Sequence, residues 1–145
     1  MHQTQFTIQH IEEKNDFFAL CFFEEQTYEK IDPQAEWIPL KRLLVNSDQQ
    51  QIIYMMDVEG EWVHICFPLH LWRKLDRVMM KDQDLMLVLS KTEAGEAHRT
   101  VPFKNFRQEC LELVGNMRDN ANYGETIVEM VEEVFSETLR TLDQN

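Results

Sequence analysis

Residues 52–67 read IIYMMDVEGEWVHICF. Two apolar runs flank Glu59-Gly60-Glu61, where Gly60 can take the positive φ that a tight turn requires, so the segment is a β-hairpin. Along its second arm Val63, Ile65 and Phe67 share one face, and Trp62, His64 and Cys66 share the other. Neither face is strongly polar, which places the hairpin centrally in a sheet.

The pattern continues on both sides of the hairpin. Phe6 and Ile8 alternate with polar neighbours. After Lys14-Asn15-Asp16 comes the seven-residue apolar run Phe17–Phe23, read as a strand covered on both faces. Residues 28–39, with Asp32-Pro33, read as a connection, and residues 40–45 as a strand. Pro68 opens a helix whose stripe is Leu69, Trp72, Leu75, Val78 and Met79. A second hairpin pairs residues 85–89 with 99–103 around Glu93-Ala94-Gly95. Two C-terminal helices follow, one striped by Phe103, Phe106, Cys110, Leu113, Val114 and Met117, the other by Ile127, Val131, Val134, Phe135 and Leu142. The expected fold is α+β over residues 1–145 as one domain. Its mixed or antiparallel sheet has about six to seven strands, two hairpins among them, packed with three helices, two of them C-terminal.

The 145 residues carry 26 acidic and 14 basic side chains, a formal charge of −12. The acids concentrate at the ends: residues 1–36 are net −6 and residues 124–145 net −5, whereas residues 68–92 are net +2. Such a chain lacks the clustered Lys and Arg that bind nucleic acid or anionic membranes, so neither is an expected partner. Mimicry of nucleic acid would need regular rows of carboxylates, and the basic helix interrupts them. The start, Met1-His2-Gln3-Thr4-Gln5, lacks the basic and apolar regions of a secretory signal. Cys21, Cys66 and Cys110 form no CxxC pair and sit among apolar neighbours, which reads as free thiols in a reducing cytoplasm.

Chemistry-bearing motifs are sparse. The sequence has no nucleophile elbow, no phosphate-cradling glycine loop and no dinucleotide fingerprint. His64, Cys66 and His70 lie close in sequence, but a fourth ligand is missing, and neither a metal nor a cofactor is expected. Asp82-Gln83-Asp84 lacks the glycine and glutamate of a calcium loop and reads as a polar turn.

The segment Asn120-Ala121-Asn122-Tyr123-Gly124 has two readings. Asn120, Asn122 and Gly124 suit a tight interhelical turn, or, with Tyr123, they face a partner as a recognition loop. Beyond it Glu125, Glu129 and Glu133, with Glu132 and Glu137, border an apolar stripe and offer a charged rim to a basic protein. A solvated face that keeps the chain soluble is the plainer reading. Trp62, His64 and Trp72, with apolar bodies and polar tips, are the candidates for a pocket between sheet and helices.

Leu44-Val45-Asn46-Ser47-Asp48 before the hairpin, Trp72, residues 103–113, the Asn-x-Asn-Tyr-Gly segment and residues 131–135 occur in an order that resembles the YjbL-like proteins. These are an uncharacterised family of Bacillus, Staphylococcus and relatives. The resemblance implies a bacterial cytosolic setting and carries no catalytic residue across. The expected function is a non-enzymatic interaction or regulatory protein that contacts a protein partner, or a second copy as a homodimer, through acidic surfaces. The alternative is a small-molecule-binding domain or small enzyme with a pocket between sheet and helices.

Overall fold

The computed structural model describes residues 4–118 and 120–144. Seven strands form one mixed sheet: β1 (Thr4–Glu13), β2 (Phe18–Phe23), β3 (Trp37–Asn46), β4 (Gln51–Val58), β5 (Glu61–Pro68), β6 (Asp84–Lys91) and β7 (Ala97–Pro102), in the order β3-β4-β5-β1-β2-β6-β7. Both expected hairpins are present, β4 against β5 and β6 against β7. β3 joins the first hairpin antiparallel to β4, whereas the junctions with β1 and β2 are parallel. The start of β1 runs beside β5 from Thr4↔Val63 to Thr7↔Cys66, and β2 runs beside β6 from Phe18↔Asp84 to Cys21↔Leu87.

β1 serves both halves of the sheet. Its first four residues pair with β5, and from Ile8 onward it pairs antiparallel with β2, with a register irregularity between Ile8 and His10. A β-bulge sharpens local twist, so the sheet bends at the point where its halves join.

Five helices accompany the sheet: α1 (Glu25–Tyr28), α2 (Trp72–Met80), α3 (Phe106–Met117), α4 (Glu125–Val134) and α5 (Ser136–Asp143). The expected three helices need correction. α1 is a single turn that ends at Tyr28, where the segment read as a connection begins, and the last helix is two. It breaks at Phe135, whose φ of −105° and ψ of 29° leave the helical region while its ring is fully buried. Pro68 closes β5 rather than opening a helix, since its ψ of 163° is extended, and a 3-10 turn, Leu69–Leu71, leads into α2.

Alternation decides which face is covered. Ile52, Tyr54 and Met56 of β4, Val63, Ile65 and Phe67 of β5, and Ala19, Cys21 and Phe23 of β2 join the stripes of α2–α5 in one core. The sheet curls around this layer until its edge strands, β3 and β7, touch. Tyr54 holds the curl. Its hydroxyl donates to the Lys104 carbonyl just after β7 (2.6 Å) and accepts from the Lys41 amide of β3 (3.3 Å). Three β3 residues, Leu40, Lys41 and Arg42, stand where β4 offers only Met55, and Lys41 has a φ of 61°. The bulge frees amides that need other partners. Tyr54 takes one, and the Glu109 carboxylate of α3 accepts from the Leu43 amide at 3.3 Å. The Tyr54 ring packs edge-on against Phe103 and beside Phe106, at 5.0 and 6.2 Å.

Burial pushes the Tyr54 phenol up to about 12 despite the bond from Lys41, with Glu109 adding to the rise. A raised folded value means stability that is complete below the ordinary pKa of 10 and is lost as pH rises toward 12. Tyr54→Phe keeps the ring and strands the Lys104 carbonyl and Lys41 amide. The expected cost is about 1–3 kcal/mol, read as a lower denaturation midpoint in urea at pH 7. The gap to wild type should narrow between pH 10 and 12; an equal gap at both pH values would deny the phenol this role.

Candidate functional site

The basic stretch in the middle of the sequence is neutralised by the two acidic ends. Arg77 Nε lies 2.8 Å and Lys81 Nζ 3.5 Å from the Glu13 carboxylate at the end of β1, and Arg73 lies 2.9 Å from Glu133 of α4. Burial alone would raise the Glu13 carboxyl, but the hydrogen bond and charge of Arg77, joined by Lys81, hold it below its ordinary 4.5. Two further links bind the ends inward, Arg118 to Asp143 at 2.6 Å and Lys91 to Glu25. Of the acidic-rim candidates, Glu133 is therefore engaged. Glu125, Glu129 and Glu132 are exposed on α4 and make no ion pair among the described residues.

Beneath this surface lies a polar contact with no local signature among the residues that make it. Asp76 of α2, 8% exposed, accepts from the Thr138 amide (2.9 Å) and the Thr138 hydroxyl (2.6 Å). Thr138 sits in the first turn of α5, where backbone amides lack helical partners, so a carboxylate from another helix caps α5. Buried Cys110 nearby has its thiol pushed up to about 12, by burial first and the Asp76 charge second. Burial raises Cys66 to about 11 and Cys21 well above its usual value. All three are free and buried, as the sequence indicated, and thiols held in this form are poor nucleophiles.

The asparagine segment takes the form of a turn. The Asn120 side-chain oxygen accepts from the Asn122 amide at 3.0 Å, its carbonyl accepts from the Tyr123 amide at 3.1 Å, and Gly124 takes a φ of 88° before α4. Asn122 is exposed, and Tyr123 is half-buried against the core. Asp119, just before this segment, and Met1-His2-Gln3 lie outside the described residues.

Trp62, His64 and Trp72 do not share a cavity, which corrects the pocket drawn from them. Trp72 is fully buried on the helical side of the sheet, its indole donating to the Phe67 carbonyl at 2.9 Å and its ring 5.9 Å from Phe135. Trp62 and His64 alternate with core residues Val63 and Ile65 and so face the opposite way. His64 is 8% exposed, and neither ring nitrogen has a hydrogen-bond partner. It lies on the same face as Cys66, whereas His70 is exposed and bonds the Gln9 carbonyl at 3.4 Å.

That outer face is the feature sequence reasoning missed. α3 packs against β3 from within the curl, and the buried helix stripes all belong to that inner core, so among the described residues no helix stripe covers the outer side of β3–β4–β5. Cross-strand register aligns Ile38, Asp57 and Trp62 in one row, Met55, His64 and Gln5 in the next, and Leu44, Ile53, Cys66 and Thr7 in a third. Ile38, Leu44 and Trp62 are 44%, 40% and 45% exposed, beside exposed Leu40 in the bulge. The signal was present in the hairpin, whose two faces are both apolar.

Concave sites are shallow. A groove of about 620 Å³ opens between the end of α2, the start of β6 and the start of α3, where Arg107 pairs with Asp82 at 3.2 Å. Another, of about 680 Å³, lies on the outer face over Phe18, Leu20 and Met86. Among the described residues no three His, Cys, Asp or Glu side chains converge as a metal site, and no helix is long and apolar enough to cross a membrane.

Comparison with known proteins adds descent without chemistry. Residues 6–135 match the model of a family of unknown function, UPF0738. A UPF0738 protein of Bacillus cytotoxicus is 26% identical over 133 residues, covering 92% of this chain and 98% of that protein. The UPF0738 protein YjbL of Bacillus subtilis is 31% identical over 102 residues, 70% of this chain and 78% of that one. One from Geobacillus thermodenitrificans is 29% identical over 103 residues, 71% of this chain and 77% of its own. No solved structure matches.

Two substitutions separate the surface pairs from the buried one. Glu13→Gln should cost about 0.5–1 kcal/mol at neutral pH, an exposed-pair magnitude. Because the folded pKa is depressed, that contribution exists above 4.5 and disappears as pH falls through the folded value. Asp76→Ala leaves the Thr138 donors unbonded and should cost about 2–4 kcal/mol, visible as a thermal midpoint lower by roughly 5–15 °C. Equal, small effects for both would contradict the burial argument.

Proposed function

The chain belongs to the UPF0738 family, and we propose that it is a non-enzymatic interaction or regulatory protein of the bacterial cytoplasm that contacts a basic protein partner through its acidic surface. One observation carries this reading. The central basic helix is already matched by Glu13 and Glu133, so the carboxylates left over on α4, at Glu125, Glu129 and Glu132, form an acidic face with no partner among the described residues. Such a face steers a basic partner and fixes its orientation more than it adds raw affinity. The Asn120–Gly124 turn stands directly before this helix and sets where its first carboxylate is presented.

A second reading, a small-molecule site, is favoured by the groove between α2 and α3. Gln83 lines it with a side-chain amide that donates to the Asn15 carbonyl at 2.8 Å while its oxygen has no partner. The groove is open and its charged groups, Arg107 and Asp82, satisfy each other. It therefore ranks behind the acidic face.

Affinity capture from a Bacillus lysate decides between them. A partner retained at low ionic strength should be released at about 0.5 M salt, where the screening length falls below about 5 Å. It should also be lost when Glu125, Glu129 and Glu132 are changed together to Gln. Retention of the same partner by the triple variant would overturn the acidic-face reading.

A further inference from the structure

We propose that the outer face of β3, β4 and β5 is the interface of a two-fold homodimer, with a second copy of this chain as its occupant. This goes beyond the acidic-face reading and is independent of it. Three observations point to a copy rather than another protein. The first is apolar area. Ile38, Leu44 and Trp62 are each about two-fifths exposed on one face, beside buried Ile53 and Met55. Single exposed apolar side chains are ordinary, but a contiguous patch on the uncovered face of a sheet marks an association surface.

The second is size. With β1 at its border the patch spans four strands at about 4.8 Å spacing and about seven residues at roughly 3.3 Å each. Counting side-chain relief, that is on the order of 700 Å² per protomer, close to the roughly 800 Å² a stable interface uses on each side. Sheets also stack face to face about 10 Å apart, so a copy's own outer face has the right shape.

The third is charge. An interface related by a two-fold axis must be self-complementary. Exposed Lys41 and Arg42 border the patch on β3, and alternation from core residue Leu43 sets Arg42 on the outer face. Asp57 lies in the row of Trp62, with Glu59 and Glu61 just beyond it. None of these five residues makes an ion pair among the described residues. One patch thus carries both signs, and a copy can set Arg42 of each protomer against Asp57 of the other. Within the patch, His64 keeps a buried ring with neither nitrogen bonded, a polar group that the single protomer leaves unsatisfied.

Two chains of charge −12 repel at long range, so added salt screens the repulsion and tightens the dimer. This is opposite to its effect on a basic partner of α4, and failure of either proposal is visible without the other.

Sedimentation equilibrium of the full chain at about 50 µM tests the proposal, a concentration at which a micromolar dimer is mostly associated. The expected mass is twice 17.4 kDa, with a dissociation constant that falls as salt rises. Trp62→Arg should weaken association by at least about tenfold, as loss of an aromatic anchor does, with an unchanged far-ultraviolet spectrum. Should that variant fail to fold, the wild-type mass and a charge-swap pair decide. Arg42→Asp and Asp57→Arg should each weaken the homodimer, and mixing them should restore a dimer, because both cross pairs are then attractive. A 17.4 kDa species at every salt concentration would overturn the proposal. So would a dimer indifferent to both Trp62→Arg and the charge swaps.

Discussion

The Tyr54 hydroxyl is the contact on which the arrangement of this molecule turns. It binds the bulge of one edge strand to the segment following the other, and its ring anchors Phe103 and Phe106 between them. A seven-stranded sheet left open would expose two edges and two faces, more surface than helices of at most 12 residues can cover. Curling removes one face from solvent. The helices fill the inside, and the outer face of β3–β5 is left without a layer of its own.

The charge layout follows from the same geometry. α2 crosses between the end of β1 and the α4–α5 pair, so its arginines meet acids from both ends of the chain. Arg73 and Arg77 of α2 are thereby paired locally, while Glu125, Glu129 and Glu132 of α4 make no ion pair among the described residues. Inside, Asp76 fixes the joint between α4 and α5 through the Thr138 amide and hydroxyl. Exposed ion pairs contribute little to stability, whereas the buried cap satisfies two Thr138 donors that would otherwise be left unbonded.

Local signals in the sequence were legible. Gly60 between two apolar runs marks the β4–β5 hairpin, and the spacing of Leu75, Val78 and Met79 marks the buried stripe of α2. Non-local pairings were not: nothing in residues 4–7 announces β5 as a parallel neighbour, since that pairing depends on chain 56 or more residues away. The break at Phe135 was hidden for the same reason. The apolar period runs on through Leu139, and the carboxylate that bonds the first turn of the new helix, Asp76, comes from another helix. For the site, the acids of α4 could be named from spacing, but their separation into engaged Glu133 and unengaged Glu125, Glu129 and Glu132 required the position of Arg73. Apolar residues on both faces of the hairpin read as a central place in the sheet, which β4 and β5 hold; what the pattern did not show is that Trp62 stands 45% exposed beside buried Ile53, Met55 and Cys66.

Amide hydrogen exchange at Lys41 and Leu43, followed residue by residue by NMR, tests the closure most directly. Both lie in the bulge region of an edge strand, where the Lys41 amide donates to the Tyr54 hydroxyl and the Leu43 amide to the Glu109 carboxylate. Closure by Tyr54 predicts that both amides exchange slowly in the wild type and that Lys41 exchanges at an unprotected rate in Tyr54→Phe. Rapid exchange at Lys41 in the wild-type protein, with the rest of β3 protected, would contradict it.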